Sequence, residues 1–372
     1  MKPAPRKADR AIRAPTTESR RLVHDPDGLN TAVWPVPGNH LVTPIDHFFT
    51  RSHAPVPQID PSTWRLEVGG LVESATSFSL EELRRAFPQR QVTATLVCAG
   101  LRRNEFLALG PLPGELPWGP EPAGTGRWTG VSLRDLLDVV GVAKEARHVE
   151  FVGLDRVERQ GDQFGFGGSI DLPKALGGDV ILASELNGRP LPVVHGFPLR
   201  AVVPGWIGAR SVKWLGRITL LKEPSPNYFQ RKAYRMQREV DPQDSRDVSR
   251  GAALSEIPLN SVILHPTPAH AIPAGRVHVY GWAMGSGGCS LTAVEVSSNG
   301  GHDWTQARIV TGGAGWTWSL WETRLDLARG RHTLVVRATD AAGVPQPPDT
   351  TATWNVKGYN NNAWHRATID VV

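Results

Sequence analysis

Cysteine is almost absent: Cys98 and Cys289 are the only two in 372 residues. Two cysteines cannot build a disulfide scaffold or a CxxC…CxxC zinc site, and without CxxCH there is no covalent c-type haem. Long apolar runs are missing too. No stretch approaches the ~18 consecutive apolar residues of a membrane-spanning helix, so no membrane partner is expected. Residues 1–22 are basic and polar and hold no apolar core. They read as a disordered tail rather than a secretory signal, which makes a cytoplasmic location the expectation. Arg20-Arg21 looks like a twin-arginine pair, but Val23-His24-Asp25-Pro26-Asp27 follows where an apolar run belongs. There is no long Lys/Arg run, so nucleic acid is not an expected partner. There is also no GxxxxGK[ST] and no GxGxxG, so nucleotide binding by those routes is unsupported.

What is present is ordinary for a folded chain: 40% hydrophobic and 21% charged residues. Its length suggests two domains. Gly (38) and Pro (31) are abundant without a G-X-Y period, which favours loop- or β-rich structure over collagen. The formal charge of +5 is a weak basic bias, and an arginine-rich one. Arginine forks suit tetrahedral oxyanions, so a small anionic substrate or cofactor is the natural use of that surplus.

The pattern along the chain divides it at a polar segment, residues 240–251. Before it, strands are predicted over Trp64–Val68, Gln91–Val97, His148–Leu154 and Val180–Ser184. Short helices are predicted after Ser79, after Ser132 and over Pro173–Leu176. Strands and helices mix without a βαβ rhythm, which reads as α+β. Beyond the segment the pattern is all-β, with strands expected over Arg276–Trp282, Leu291–Ser297, Trp304–Val310, Trp316–Trp321, His332–Ala338 and Thr351–Val356, and a turn signal at Asn299-Gly300. That spacing suggests an immunoglobulin-like sandwich. The expected division is a tail (1–22), a catalytic domain (23–245) and a sandwich (250–372).

Three clusters could carry chemistry. Cys98 ends a strand in Cys98-Ala99-Gly100-Leu101-Arg102-Arg103, where neighbouring cations favour a thiolate. Taken alone it reads more readily as a small buried apolar residue. His195-Gly196-Phe197-Pro198-Leu199-Arg200 precedes Gly208-Ala209-Arg210-Ser211-Val212-Lys213-Trp214. Exposed backbone N–H groups and the cations Arg200, Arg210 and Lys213 could hold a phosphate, or the segment is a Gly/Pro-rich turn with solvated charges. The third is Phe49-Thr50-Arg51-Ser52-His53, on its own a surface loop with a paired arginine.

Together, and with Gly153-Leu154-Asp155 and Asn362-Ala363-Trp364-His365-Arg366, these clusters resemble the sulfite oxidase family over nearly all of residues 23–372. The resemblance implies a sulfite oxidase-like α+β molybdopterin-binding domain followed by a dimerisation domain, hence a homodimer. It implies molybdenum–molybdopterin as cofactor, with Cys98 as the protein's metal ligand. Phe49, Thr50, Arg51, Ser52, His53, Asp155, His195, Arg200, Ser211, Val212 and Lys213 fall in the pterin-binding set. Arg51, Arg103, Trp118, Tyr234 and Lys357 fall in a cationic substrate pocket, with Tyr228 a rival to Tyr234. The implied reaction is oxygen-atom transfer to sulfite, giving sulfate. With no haem and no flavin domain visible, electrons would pass to an external acceptor, a cytochrome or dioxygen. Cys289 matches no motif and reads as structural. Leu101 stands where relatives commonly carry Asn, and Lys357 where sulfite-oxidising relatives carry Arg. Those two differences favour, as the alternative, another sulfur oxyanion or sulfane substrate, or a reductase, on the same cofactor.

Overall fold

The computed structural model describes residues 20–25, 27–34, 40–238, 251–267, 271–311 and 315–372. Residues 1–19 of the expected tail and residues 240–250 of the expected linker lie outside the described residues. In chain order the first part comprises β1 (Arg20–Val23), β2 (Thr31–Trp34), β3 (Leu66–Gly70), β4 (Thr76–Phe78), α1 (Leu80–Ala86), β5 (Gln89–Val97) and β6 (Ala123–Ser132). These are followed by α2 (Leu133–Val140), β7 (His148–Gly153), β8 (Gly167–Asp171), β9 (Ile181–Leu186), β10 (Arg200–Val202) and β11 (Leu215–Leu221).

Local chemistry explains the helices. Ser79 and Glu82 form a reciprocal capping box at the start of α1: the Ser79 hydroxyl accepts from the Glu82 amide, and the Glu82 carboxylate accepts from the Ser79 amide. In α2, Leu133, Leu136, Leu137 and Val140 recur at i, i+3, i+4 and i+7 and are all buried.

Two sheets carry this part. One runs β8-β7-β11-β3-β4, antiparallel except where β11 lies parallel to β3. The other pairs β9 with β6 and β6 with β5, and β10 adds to β9. The single parallel pair is consistent with the α+β expectation. Leu66, Phe151, Leu182, Val203 and Ile218 join α2 in the core between them.

The second part comprises β12 (Asn260–His265), β13 (Gly275–Met284), β14 (Leu291–Ser297), β15 (Thr305–Gln306), β16 (Arg308–Thr311), β17 (Ser319–Leu327), β18 (Gly330–Asp340) and β19 (His365–Val371). They form two four-stranded antiparallel sheets, β12-β13-β17-β16 and β15-β14-β18-β19. Val277 and Val279, and Val294 and Val296, alternate with less buried residues, and with Leu334, Val336 and Trp321 they pack in one core. The all-β expectation holds here, with three differences in detail. Trp304–Val310 is split at Ala307, so that β15 pairs with β14 and β16 with β17. Thr351–Val356 is no strand: Asp349 accepts from the Thr351 amide at 2.9 Å and opens a short 3-10 turn, Thr350–Ala352. β12 and β19 were not expected.

The two parts share a core. Leu101, Phe229 and Tyr234 pack with Trp282, Trp318 and Tyr359. The Trp318 amide donates to the Thr95 hydroxyl at 2.9 Å, and the Asn360 amide to the Ala99 carbonyl at 2.7 Å. The second part is thereby fixed against the strand end that carries Cys98.

Candidate active site

β5 delivers Cys98 to a turn. The Leu101 amide donates to the Cys98 carbonyl at 3.0 Å, and the Gly100 amide points at the Cys98 Sγ at 3.4 Å. An N–H aimed at the sulfur complements negative charge on it. Gly100 has to be glycine for a packing reason: a Cβ there would fall 2.7 Å from the Arg103 guanidinium.

Cys98 lines a cleft. Phe49, Thr50, Arg51, Ser52, His53, Asp155, His195, Arg200, Ser211, Lys213 and Tyr234 line the same cleft, so residues spread over 186 positions of sequence converge there. Tyr234, and not Tyr228, faces the cleft; Tyr228 packs against Phe164 and Phe229. Val212 behaves differently from its neighbours. It is buried in the first part's core, while its backbone carbonyl accepts from the Ala201 amide.

The cleft has an excess of buried positive charge. The Arg200 guanidinium donates to the His195 carbonyl at 2.9 Å and the Ser211 carbonyl at 2.8 Å. Lys213 Nζ donates to the Ser52 hydroxyl at 2.7 Å and the Val194 carbonyl at 2.9 Å. Neither forms an ion pair with a described carboxylate. Burial pulls Arg200 down to about 9. Burial also pulls Lys213 well below the ordinary lysine value, Arg200 adding repulsion, Asp155 opposing and Arg51 adding more. A buried arginine and a half-buried lysine, held mainly by neutral oxygens, form a site that an anion would stabilise.

Arg51, His53 and Tyr234 form a chain. Arg51 Nη2 lies 3.3 Å from His53 Nδ1, and His53 Nε2 lies 2.8 Å from the Tyr234 hydroxyl. His53 stacks on Phe166, and burial first, then Arg51, Arg159, Lys213 and Arg103, holds its pKa well below the usual imidazole value. Burial pushes the Tyr234 hydroxyl up to about 12, with Arg51 pulling the other way and Cys98 adding to the rise.

Arg103, Trp118 and Lys357 do not line the cleft; they cluster beside it. Trp118 packs against Cys98 and Ala32, and its indole N–H is buried with no partner among the described residues. Arg103 and Lys357 both contact Glu115, at 3.2 and 2.9 Å. Arg103 also lies over the Tyr359 ring, which stacks on Tyr234. Glu115, Phe166 and Tyr359 were missed by sequence reasoning. Only the structure ties Phe166 to a recognised motif: its amide donates to the Asp155 carboxylate at 3.0 Å.

The donor set fits a metal-bearing, anionic cofactor. Among the described residues no three His, Cys, Asp or Glu are grouped to hold a metal ion, so a metal at Cys98 would bring its other ligands with it. The cations without a carboxylate partner offer a place for the cofactor's anionic end, and Trp118, packed with Cys98, has an indole N–H without a partner among the described residues.

The chain matches the family model described as oxidoreductase molybdopterin binding domain over residues 53–229, and that of the Mo-co oxidoreductase dimerisation domain over residues 251–372. It is 41% identical to the sulfite oxidase of Gallus gallus over 88% of this chain and 72% of that one. With the sulfite oxidase of Arabidopsis thaliana it shares 33% identity over 88% of each chain. The chain spans 62% of the length of the mitochondrial sulfite oxidase of Homo sapiens. Among solved structures it resembles the sulfane dehydrogenase SoxCD from Paracoccus pantotrophus, at TM-score 0.75 and 27% identity, covering 89% of this chain and 83% of that one.

Proposed function

This chain belongs to the sulfite oxidase family of molybdopterin-binding oxidoreductases, and from that premise we propose that it oxidises sulfite to sulfate at the cleft lined by Cys98. The observation that carries the proposal is the convergence of a buried thiol, two cations without a described carboxylate partner and a buried tyrosine hydroxyl on one space.

When bound, molybdopterin supplies molybdenum chemistry: oxygen-atom transfer coupled to two electrons. Cys98 is the proposed thiolate ligand. Arg200, Lys213 and Ser52 bind the cofactor's phosphate end, with Phe49, Thr50, Asp155, His195, Ser211 and the backbone at Val212 orienting it. Arg51 and Tyr234 face the substrate. Arg51 can only donate, so His53 Nδ1 accepts from it, and the single proton of the neutral imidazole sits on Nε2 and is donated to the Tyr234 oxygen. The tyrosine's own proton is left free to point into the cleft. Held protonated, it can donate to an anionic oxygen as charge builds there. Trp118, beside the cleft and packed with Cys98, holds a second neutral donor. Arg103 and Lys357 supply charge from beside the cleft.

The domain division at residues 1–22, 23–245 and 250–372, an immunoglobulin-like sandwich as the second domain, and a homodimer built through it belong to the same proposal. So do a cytoplasmic location and an external electron acceptor, a cytochrome or dioxygen, with no haem or flavin of the chain's own. A second reading keeps the cofactor and changes the substrate to a sulfane or another sulfur oxyanion. It is favoured by the buried apolar Leu101 beside Cys98 and by the likeness to SoxCD. Steady-state assays with sulfite, thiosulfate-derived substrates and nitrate decide between them: sulfite turnover at the highest kcat/KM supports the first reading, and a sulfane preference replaces it.

A further inference from the structure

Glu115 bridges two of the proposed substrate-side cations. Its Oε1 lies 2.9 Å from Lys357 Nζ and its Oε2 lies 3.2 Å from Arg103 Nη2, with the carboxylate side chain only 13% exposed. Arg103 is also held elsewhere: Nε donates to the Lys357 carbonyl at 2.8 Å and Nη1 to the Leu116 carbonyl at 2.9 Å. Gly100 and Gly358 hold its side chain from both sides, since a Cβ on either would meet it at 2.7 Å. Its Nη2 is the end that meets the carboxylate. Glu115 also lies within electrostatic reach of both stacked tyrosines, Tyr234 and Tyr359.

We infer that Glu115 is a specificity-determining residue: its carboxylate cancels part of the charge that Arg103 and Lys357 offer an incoming anion, and so turns the site away from dianions and towards monoanions. The inference deepens the proposed oxidation of a sulfur oxyanion and rests on it for the place of the substrate. The physics is charge counting. At a given distance a fixed carboxylate repels a dianion twice as strongly as a monoanion. At a largely buried position salt does little to screen that difference.

The test titrates sulfate, a dianion, and nitrate, a monoanion, into the oxidised, cofactor-loaded protein by calorimetry at pH 7, for wild type, Glu115→Gln and Glu115→Asp. Glu115→Gln keeps the shape and removes the charge. It is expected to bind nitrate about 10-fold and sulfate about 100-fold more tightly than wild type, the second factor being the square of the first. Glu115→Asp keeps the charge and is expected to stay near wild type. In turnover, the gain of Glu115→Gln for sulfite is expected in KM rather than kcat. If Glu115→Gln fails to fold, Glu115→Ala reads the same loss of charge. Unchanged sulfate affinity, or equal gains for both anions, overturns the inference. Selective tightening of sulfate in a protein that turns over no sulfite supports the charge role of Glu115 and overturns the sulfite reading instead.

Discussion

The His53 imidazole Nε2 and the Tyr234 hydroxyl lie 2.8 Å apart, and Arg51 on the other ring nitrogen sets the direction of that hydrogen bond. The tyrosine is an acceptor from His53 and thus a free donor towards the cleft. Tyr234→Phe removes that donor while leaving the stack on Tyr359. kcat/KM for sulfite is expected to fall by about 10²-fold, the scale of losing one preorganised donor. Molybdenum content should be unchanged, which separates a role in turnover from one in cofactor binding.

Lys213 should show a trade between stability and function. Its half-buried ammonium stands near Arg200 and Arg51 and is held by the Ser52 hydroxyl and the Val194 carbonyl. Lys213→Met removes a partly desolvated charge at similar volume. The cofactor-free protein is expected to gain about 1–2 kcal/mol, read as a higher Tm, because the desolvation cost disappears. Molybdenum retained per chain is expected to drop several-fold. A lower Tm for the cofactor-free variant would show that the ammonium stabilises the fold without the cofactor.

Gly100→Ala should act through Arg103. The added methyl meets the guanidinium, so the arginine or the turn after Cys98 has to shift. Overpacking of this kind costs about 1–3 kcal/mol. Melting temperature and sulfite turnover should both fall, and replacing Arg103 by Ala in the same chain should restore part of the Tm.

Acid should weaken the second part of the chain through His365. Burial, with repulsion from Arg102 and opposition from Glu105, holds this imidazole down to about 4, and its Nδ1 accepts from the Ile263 amide at 3.1 Å. Unfolded, it titrates near ~6.5. Between those values the unfolded chain takes a proton that the folded one excludes. This contribution is complete above pH ~6.5 and is lost as pH falls towards about 4, by up to about 3 kcal/mol. His365→Asn, whose amide oxygen can accept from Ile263, should flatten the fall of Tm across that window.

The legible parts of the fold were those with strong local signals. The β-branched run ending at Cys98, the Ser79–Glu82 box and the α2 stripe each state their own structure. Thr351–Val356 misled because threonines favour strands, whereas Asp349 accepting from the Thr351 amide commits the chain to a turn. His365–Val371 alternates buried and outward residues as β19 but has no turn signal before it. At the site, short motifs marked the cleft residues, since each concentrates glycine, cations or sulfur within a few positions. Glu115 carried no such mark. A single glutamate in a proline-rich loop means nothing until folding brings Lys357, 242 residues away, to its carboxylate.

The most direct measurement compares wild type with Cys98→Ser for molybdenum content and for the paramagnetic signal raised by adding sulfite. The account predicts a molybdenum-loaded wild type whose signal appears with sulfite. In the serine variant, turnover is lost and the signal is missing or altered, because its oxygen replaces the proposed sulfur ligand. A serine variant with wild-type turnover and an unchanged signal would contradict the assignment of Cys98 to the metal.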